Sequence, residues 1–244
     1  MIHELKLAKQ VAKDTAELLK LKYLGNVSVL TSKGKDIKTN ADIAAHEYLF
    51  ENLDRTGIKI LSEESNDHSF DINDSQWIID PVDGTLNFSR GFSMAAVSIA
   101  LWNHGSPVLG VVHNIFSDQI FYASKNNGAC LNGNKISVSS ISKKQNAVIA
   151  TGFPSGSDYS DTALGEFVSK VQRYKKVRML GSASLMLAYV ACGYFDIYKE
   201  DNIYIWDVAA GLALVAESRG RYFCNPGLST VKFNVEASNS LLTD

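Results

Sequence analysis

Residues 77–88 read Trp-Ile-Ile-Asp-Pro-Val-Asp-Gly-Thr-Leu-Asn-Phe, and these types in this order suit one kind of chemistry. The apolar lead-in predicts a buried strand that delivers Asp80 at its carboxyl end. Pro81 fixes its own φ and biases Asp80 toward extended geometry, so the chain leaves the strand along a defined path. Asp80 and Asp83 can then converge on one point, with the Val82 carbonyl as a third oxygen between them. Gly84 has no side chain, so its amide can approach an anion closely. Thr85 opens a short helix whose free N–H groups suit a phosphate. One segment therefore offers carboxylates for hard cations beside donors for an anion.

Two carboxylates are too few for two divalent ions, so partners are needed from elsewhere in the chain. Glu63, in Ser62-Glu63-Glu64-Ser65 at the end of the preceding strand, is one candidate; the same residues also suit a solvated turn. Asp207, in Ile205-Trp206-Asp207-Val208-Ala209-Ala210-Gly211, is the other. It enters a helix whose opposite face (Val208, Leu212, Val215) is core, and it suits a helix N-cap equally well. His104 and His113 flank a strand pair and read as surface or packed residues rather than ligands. No Ser-His-Asp, Cys-His or Walker-type constellation competes, and Gly152-Phe153-Pro154-Ser155-Gly156 reads as a loop.

The elements that must position these groups follow from periodicity. Residues 2–22 read as an amphipathic helix with Leu5, Ala8, Ala12, Ala16 and Leu19 on one face. A loop over Thr31–Lys35 precedes a second helix from Asn40, striped by Ala41, Ala45, Leu49 and Leu53, with Asp42 in its first turn, where the dipole favours a negative charge. Strands read at 59–61, 77–79, 96–102, 108–113 and 119–123, then a hairpin around Asn132-Gly133. The polar stretch Ser139–Asn146 marks a boundary, giving an α+β domain over 1–143 and an α/β domain over 144–244. In the second, strands at 147–151, 176–180, 194–199 and 221–224 alternate with helices at 160–173, 183–192 and 206–218.

Glu63-Glu64 after a strand, Asp80-Pro81-Val82-Asp83-Gly84-Thr85 after Trp-Ile-Ile, and Trp206-Asp207-Val208-Ala209-Ala210-Gly211 near the end together resemble the inositol monophosphatase family, the lithium-sensitive magnesium phosphatases. Thr39-Asn40-Ala41-Asp42 and Gly128-Ala129-Cys130-Leu131-Asn132-Gly133 fit as well. The resemblance implies an α/β protein with a five-layer αβαβα sandwich, usually a homodimer. It implies one Mg²⁺ on Glu63, Asp80 and the Val82 carbonyl, and a second on Asp80, Asp83 and Asp207. A third, weaker ion is held at Glu63 through water, with Mn²⁺ as a substitute and Li⁺ as an inhibitor. Thr85 and Asp42 resemble the family's pair that activates the attacking water, and the Gly84 and Thr85 amides its phosphate donors. Asp83, Gly181, Ser182, Ala183 and Glu200 match positions that bind the substrate, the last through ring hydroxyls. The implied reaction is hydrolysis of a small phosphate monoester, inositol 1-phosphate first. Relatives with the same metal motifs act on 3′-phosphoadenosine 5′-phosphate, histidinol phosphate or fructose 1,6-bisphosphate. A non-catalytic scaffold is the alternative from another class. Ser93 stands where many members carry proline. The tail after Cys224 is shorter than usual, which leaves the family's last helix and its dimer contact open.

Composition excludes several other classes. With 24 basic and 26 acidic residues the formal charge is −2, which gives no electrostatic footprint for a nucleic-acid partner. Three widely spaced cysteines in apolar contexts read as buried thiols of a reducing compartment. The charged amino terminus is no signal-peptide core and no apolar run reaches membrane-spanning length; a cytoplasmic protein is expected.

Overall fold

The computed structural model describes residues 1–34, 36–153 and 157–242. Helices α1 (Ile2–Lys22) and α2 (Asn40–Asp54) form where the stripes lie: Ala8, Ala12, Ala16 and Leu19 of the first and Ala41, Ala45, Leu49 and Leu53 of the second are fully buried. The small alanines let both helices lie close on one face of a seven-stranded sheet. That sheet runs β3 (Lys59–Ser62), β4 (Gln76–Asp83), β5 (Ala96–Asn103), β6 (Ser106–Asn114), β7 (Ile120–Ser124), β8 (Ala129–Leu131) and β9 (Asn134–Lys135). Only β3 and β4 are parallel; every later neighbour is antiparallel. All eight residues of β4 are buried, because helices cover this sheet on both faces.

The second cover is α5 (Ala183–Ala191) and α6 (Ile205–Glu217), which pack on each other and on both sheets. Their sequences are apolar nearly all round, as helices between two sheets must be. The far sheet is five-stranded, in the order β11 (Lys176–Arg178), β10 (Val148–Ala150), β12 (Ile197–Tyr204), β14 (Lys232–Ser238), β13 (Arg221–Pro226). Outside it lies α4 (Asp161–Val171), so the layers run αβαβα. A short helix, α3 (Thr85–Ser89), follows β4.

Two expectations need correction. The stretch 31–34, read as part of a loop, belongs to a hairpin of β1 (Val29–Lys33) and β2 (Asp36–Thr39), with Thr31 opposite Lys38 and Ser32 opposite Ile37; Lys35 lies outside the described residues. Its strands have no core face, so no period-2 apolar pattern betrays them. β12 starts at Ile197 rather than 194 and runs past 199 to Tyr204, so Glu200 sits inside a strand. The polar run Lys199-Glu200-Asp201-Asn202 conceals it, and a register shift between Glu200 and Ile203 interrupts it. After Cys224 the chain finishes β13 and forms β14, which lies between β12 and the edge strand β13, and no helix follows among the described residues. Of the thiols, Cys130 is buried while Cys192 and Cys224 are only half-buried; all three are free. The loop expected at 152–156 leaves β10, but 154–156 lie outside the described residues. No helix among the described residues is long and apolar enough to cross a membrane.

Candidate active site

A pairing irregularity in β4 is what brings Asp80 and Asp83 to one side. Asp80 pairs with Ser98 and Asp83 with Ala96 on β5. Ser98 and Ala96 are two apart and share a face; the extra residue on β4 puts the two aspartates on that same face. Pro81, which has no N–H to give a ladder, occupies the bulge. The Val82 N–H donates to Asp80 Oδ1 at 3.0 Å, which steadies that carboxylate.

Glu63 just beyond β3, Asp80 of β4 and Asp207 in the first turn of α6 each offer a carboxylate oxygen within 4.8 Å of the others. Glu63 is held locally: its N–H donates to the Ile79 carbonyl at 3.3 Å, and its carbonyl meets the His68 ring at 2.9 Å. That ring lies 4.9 Å from Trp206, one residue before Asp207. Burial, then the neighbouring acids, push all three carboxyls upward, Glu63 to about 8 although the residue as a whole is exposed. Three converging carboxyls with no base among them fit a hard divalent cation, which takes oxygen ligands.

Asp83 stands apart from that trio. Its carboxylate accepts from Ser182 Oγ at 2.6 Å, the Ser184 N–H at 2.8 Å, the Ala183 N–H at 3.2 Å and the Ser184 hydroxyl. Ser182 and Ala183, expected at the substrate, are therefore engaged with Asp83, and they anchor the start of α5 to β4. Ser184, which the sequence reading did not single out, is part of the same clamp. Burial raises the Asp83 carboxyl, and these donors pull it back down.

Asp42 is the third residue of α2, and Thr39 caps that helix. Its Oδ2 accepts from the Thr39 N–H at 2.8 Å and the Thr39 hydroxyl at 2.5 Å, while Oδ1 accepts from Thr85 Oγ1 at 2.8 Å. Thr39 is a second functional neighbour the sequence reading left unassigned, although Thr-x-x-Asp is the signal of a capping box. Burial, the largest influence, raises the Asp42 carboxyl, so it is a better proton acceptor than a free aspartate. Thr85 Oγ1 also lies 3.0 Å from the Val82 carbonyl.

Gly84 precedes α3 with φ +90°, and a Cβ there would lie 2.8 Å from the Met94 carbonyl and 3.0 Å from that of Gly181. Only glycine meets both conditions. Asn87 Nδ2 donates to Met94 O at 2.8 Å and Leu180 O at 2.7 Å, tying α3 to the chain at Gly181. Glu200, 6% exposed on β12, faces the same cleft, and burial pushes its carboxyl up to about 8. The cleft, about 360 Å³, is lined by Glu63, Asp80, Val82, Asp83, Gly84, Thr85, Gly181, Ser182, Ala183, Glu200 and Asp207, and also by Thr151, Gly152, Met179 and Met186. Asp42 reaches it through Thr85. His104 is exposed and His113 buried, and neither belongs to the carboxylate group.

Comparison with known proteins finds relatives along most of the chain. The model of the inositol monophosphatase family matches residues 3–238. An inositol-1-monophosphatase of Caulobacter vibrioides is 37% identical over 222 residues, covering 88% of this chain and 84% of that protein. A protein of Xylella fastidiosa called Nus factor SuhB is 36% identical over 208 residues, covering 83% and 74%. Among solved structures, an IMPase of Thermotoga maritima superposes with a TM-score of 0.83 at 32% identity, over 98% of this chain and 93% of that one. A family match over nearly the whole length, relatives 36–37% identical over most of the chain and a shared sandwich leave one assignment: this chain is a member of the inositol monophosphatase family.

Proposed function

We propose that the protein hydrolyses inositol 1-phosphate to inositol and phosphate, with Mg²⁺ and a water nucleophile. The observation that carries the reading is the Asp42–Thr85 hydrogen bond set beside the Glu63–Asp80–Asp207 group, with Glu200 buried in the same cleft. Glu63, Asp80 and Asp207, with Asp83 and the Val82 carbonyl, would hold two to three ions. When bound, Mg²⁺ supplies a lowered water pKa and positive charge against the phosphoryl oxygens.

The chain's own groups do the rest. Thr85 donates its hydrogen to Asp42, which leaves its oxygen to accept one from the attacking water. As the water oxygen bonds to phosphorus, its proton passes to Thr85 and the threonine hydrogen passes to Asp42. The P–O bond to the leaving group breaks, and the departing oxygen takes a proton from water. The Gly84 and Thr85 amides would donate to phosphoryl oxygens. Glu200 accepts from two vicinal hydroxyls of the leaving group, which favours a polyol.

Phosphate release from inositol 1-phosphate, 3′-phosphoadenosine 5′-phosphate, histidinol phosphate and fructose 1,6-bisphosphate tests the substrate, and inositol 1-phosphate should have the highest kcat/KM. A faster nucleotide or histidinol ester would replace it. Activity should vanish in EDTA, return with Mg²⁺ and fall with Li⁺; full turnover in excess EDTA would sink the metal mechanism. Mg²⁺ should also raise the Tm of the parent more than that of Asp207→Asn. Sedimentation should give a homodimer.

A second reading draws on the Xylella relative: the name Nus factor describes a role other than ester hydrolysis, such as a binding one. An intact carboxylate set with the Thr85–Asp42 pair supports catalysis here, and a chain inert toward all four esters would favour the binding role.

A further inference from the structure

The chain leaving β10 is held on both sides. The Thr151 N–H donates to the Arg178 carbonyl at 3.0 Å, and its hydroxyl donates to the Lys199 carbonyl at 2.7 Å. The next residue, Gly152, is thereby pressed against Glu200: a Cβ at 152 would lie 2.7 Å from Glu200 Oε1 and 3.3 Å from Oε2. Gly152 does not have a positive φ, so its backbone is one that alanine adopts readily. Nothing about the local conformation asks for glycine; the carboxylate does.

On its other side Glu200 has Tyr198, two residues earlier on the same face of β12 and fully buried. The Tyr198 hydroxyl lies beside the Glu200 carboxyl and draws it down against burial, without the geometry of a full hydrogen bond. Glu200 is thus seated between a fixed backbone and a buried ring.

We propose that Gly152 is a positioning residue for substrate specificity: its bare Cα, pinned to β12 through Thr151, sets the direction in which Glu200 presents its oxygens to the leaving group's hydroxyls. This rests on the reading of Glu200 as hydroxyl acceptor, and it gives a function to a position that reads from sequence as part of a plain loop.

Gly152→Ala tests it. The obstructed atom is the end of a flexible side chain, so Glu200 swings aside while the fold persists, and an unchanged Tm verifies that. Misplacing one substrate-orienting group costs up to about 100-fold, so kcat/KM for inositol 1-phosphate should fall on the order of 10-fold more than for p-nitrophenyl phosphate, which has no vicinal hydroxyls. In a Glu200→Ala background the same substitution should add nothing, because the atom it displaces is gone. Equal losses on both substrates, or an undiminished loss in the Glu200→Ala background, would overturn the assignment of Gly152. If Glu200→Ala itself fails to separate the two substrates, the hydroxyl-acceptor reading falls first and the role of Gly152 with it.

Discussion

At Thr85 one hydroxyl hydrogen has two acceptors within reach, Asp42 Oδ1 at 2.8 Å and the Val82 carbonyl at 3.0 Å. Either choice leaves lone pairs on the threonine oxygen to accept from the cleft, but only Asp42 can take a proton onward. Thr85→Ala and Asp42→Asn should therefore each lower kcat by about 10²–10⁴-fold, the usual contribution of a positioned acid or base, with circular dichroism unchanged. Parent-like turnover in either variant would remove the pair from the mechanism. Asp83 shows the opposite economy of contacts: four donors from Ser182–Ser184 surround it. Hydrogen bonds to a charged group contribute about 1.5–3 kcal/mol each, so Ser184→Ala should lower the unfolding free energy by that order and move the urea midpoint down with it. An unchanged midpoint would show that the clamp does not bear on stability.

The elements matter through their irregularities. A regular β4 would turn Asp80 and Asp83 to opposite faces; the bulge at Pro81 puts them together. The turn into α3 then depends on Gly84, where alanine would bear both a left-handed backbone, about 1–2 kcal/mol, and contacts under or near 3.0 Å with two carbonyl oxygens. These oxygens are backbone and cannot swing away as a side chain can. Gly84→Ala should lower Tm and abolish phosphate release together. A variant with parent Tm and activity would show that the turn relaxes freely. The contrast with Gly152→Ala, which meets only a mobile carboxylate, is a direct comparison of two glycines kept for different reasons.

For the whole molecule, packing helices between two sheets buries acids that an unfolded chain would leave in water. Glu200 rises from 4.5 to about 8, and Asp80 and Asp207 move the same way, chiefly through burial. Without metal the folded protein keeps protons that the unfolded chain has released above about pH 4.5. Stability is then fully present below that pH and is lost as pH rises through about 8. In EDTA, Tm should fall from pH 5 to pH 8; Mg²⁺ at pH 8 should restore it, and Glu200→Gln should flatten the fall. A metal-free Tm that rises or stays level across that range would contradict the burial seen here.

The sequence by itself determined what lies within one stretch of chain. Residues 77–88 carry their strand, turn and helix in order, because Pro81, Gly84 and the apolar lead-in act on their own backbone. The alanine stripes of α1 and α2 were legible because a helix repeats its buried face every few residues. Residue types alone raised Glu63 and Asp207 as candidates beside a turn or a cap, and family resemblance then gave them, with Asp42 and Glu200, their roles. Only the tertiary structure decided how these meet. Sheet order places β3, β4 and α6 so that three carboxyls converge, and it turns Asp83 toward Ser184. It also extends β12 past a polar run and inserts β14 between β12 and β13. Pairing across a sheet and hydrogen bonds between distant segments depend on which strand lies beside which, and no local pattern records that. Gly152 marks the boundary: its lack of a side chain was visible in the sequence, and its reason, the Glu200 carboxylate against its Cα, was not.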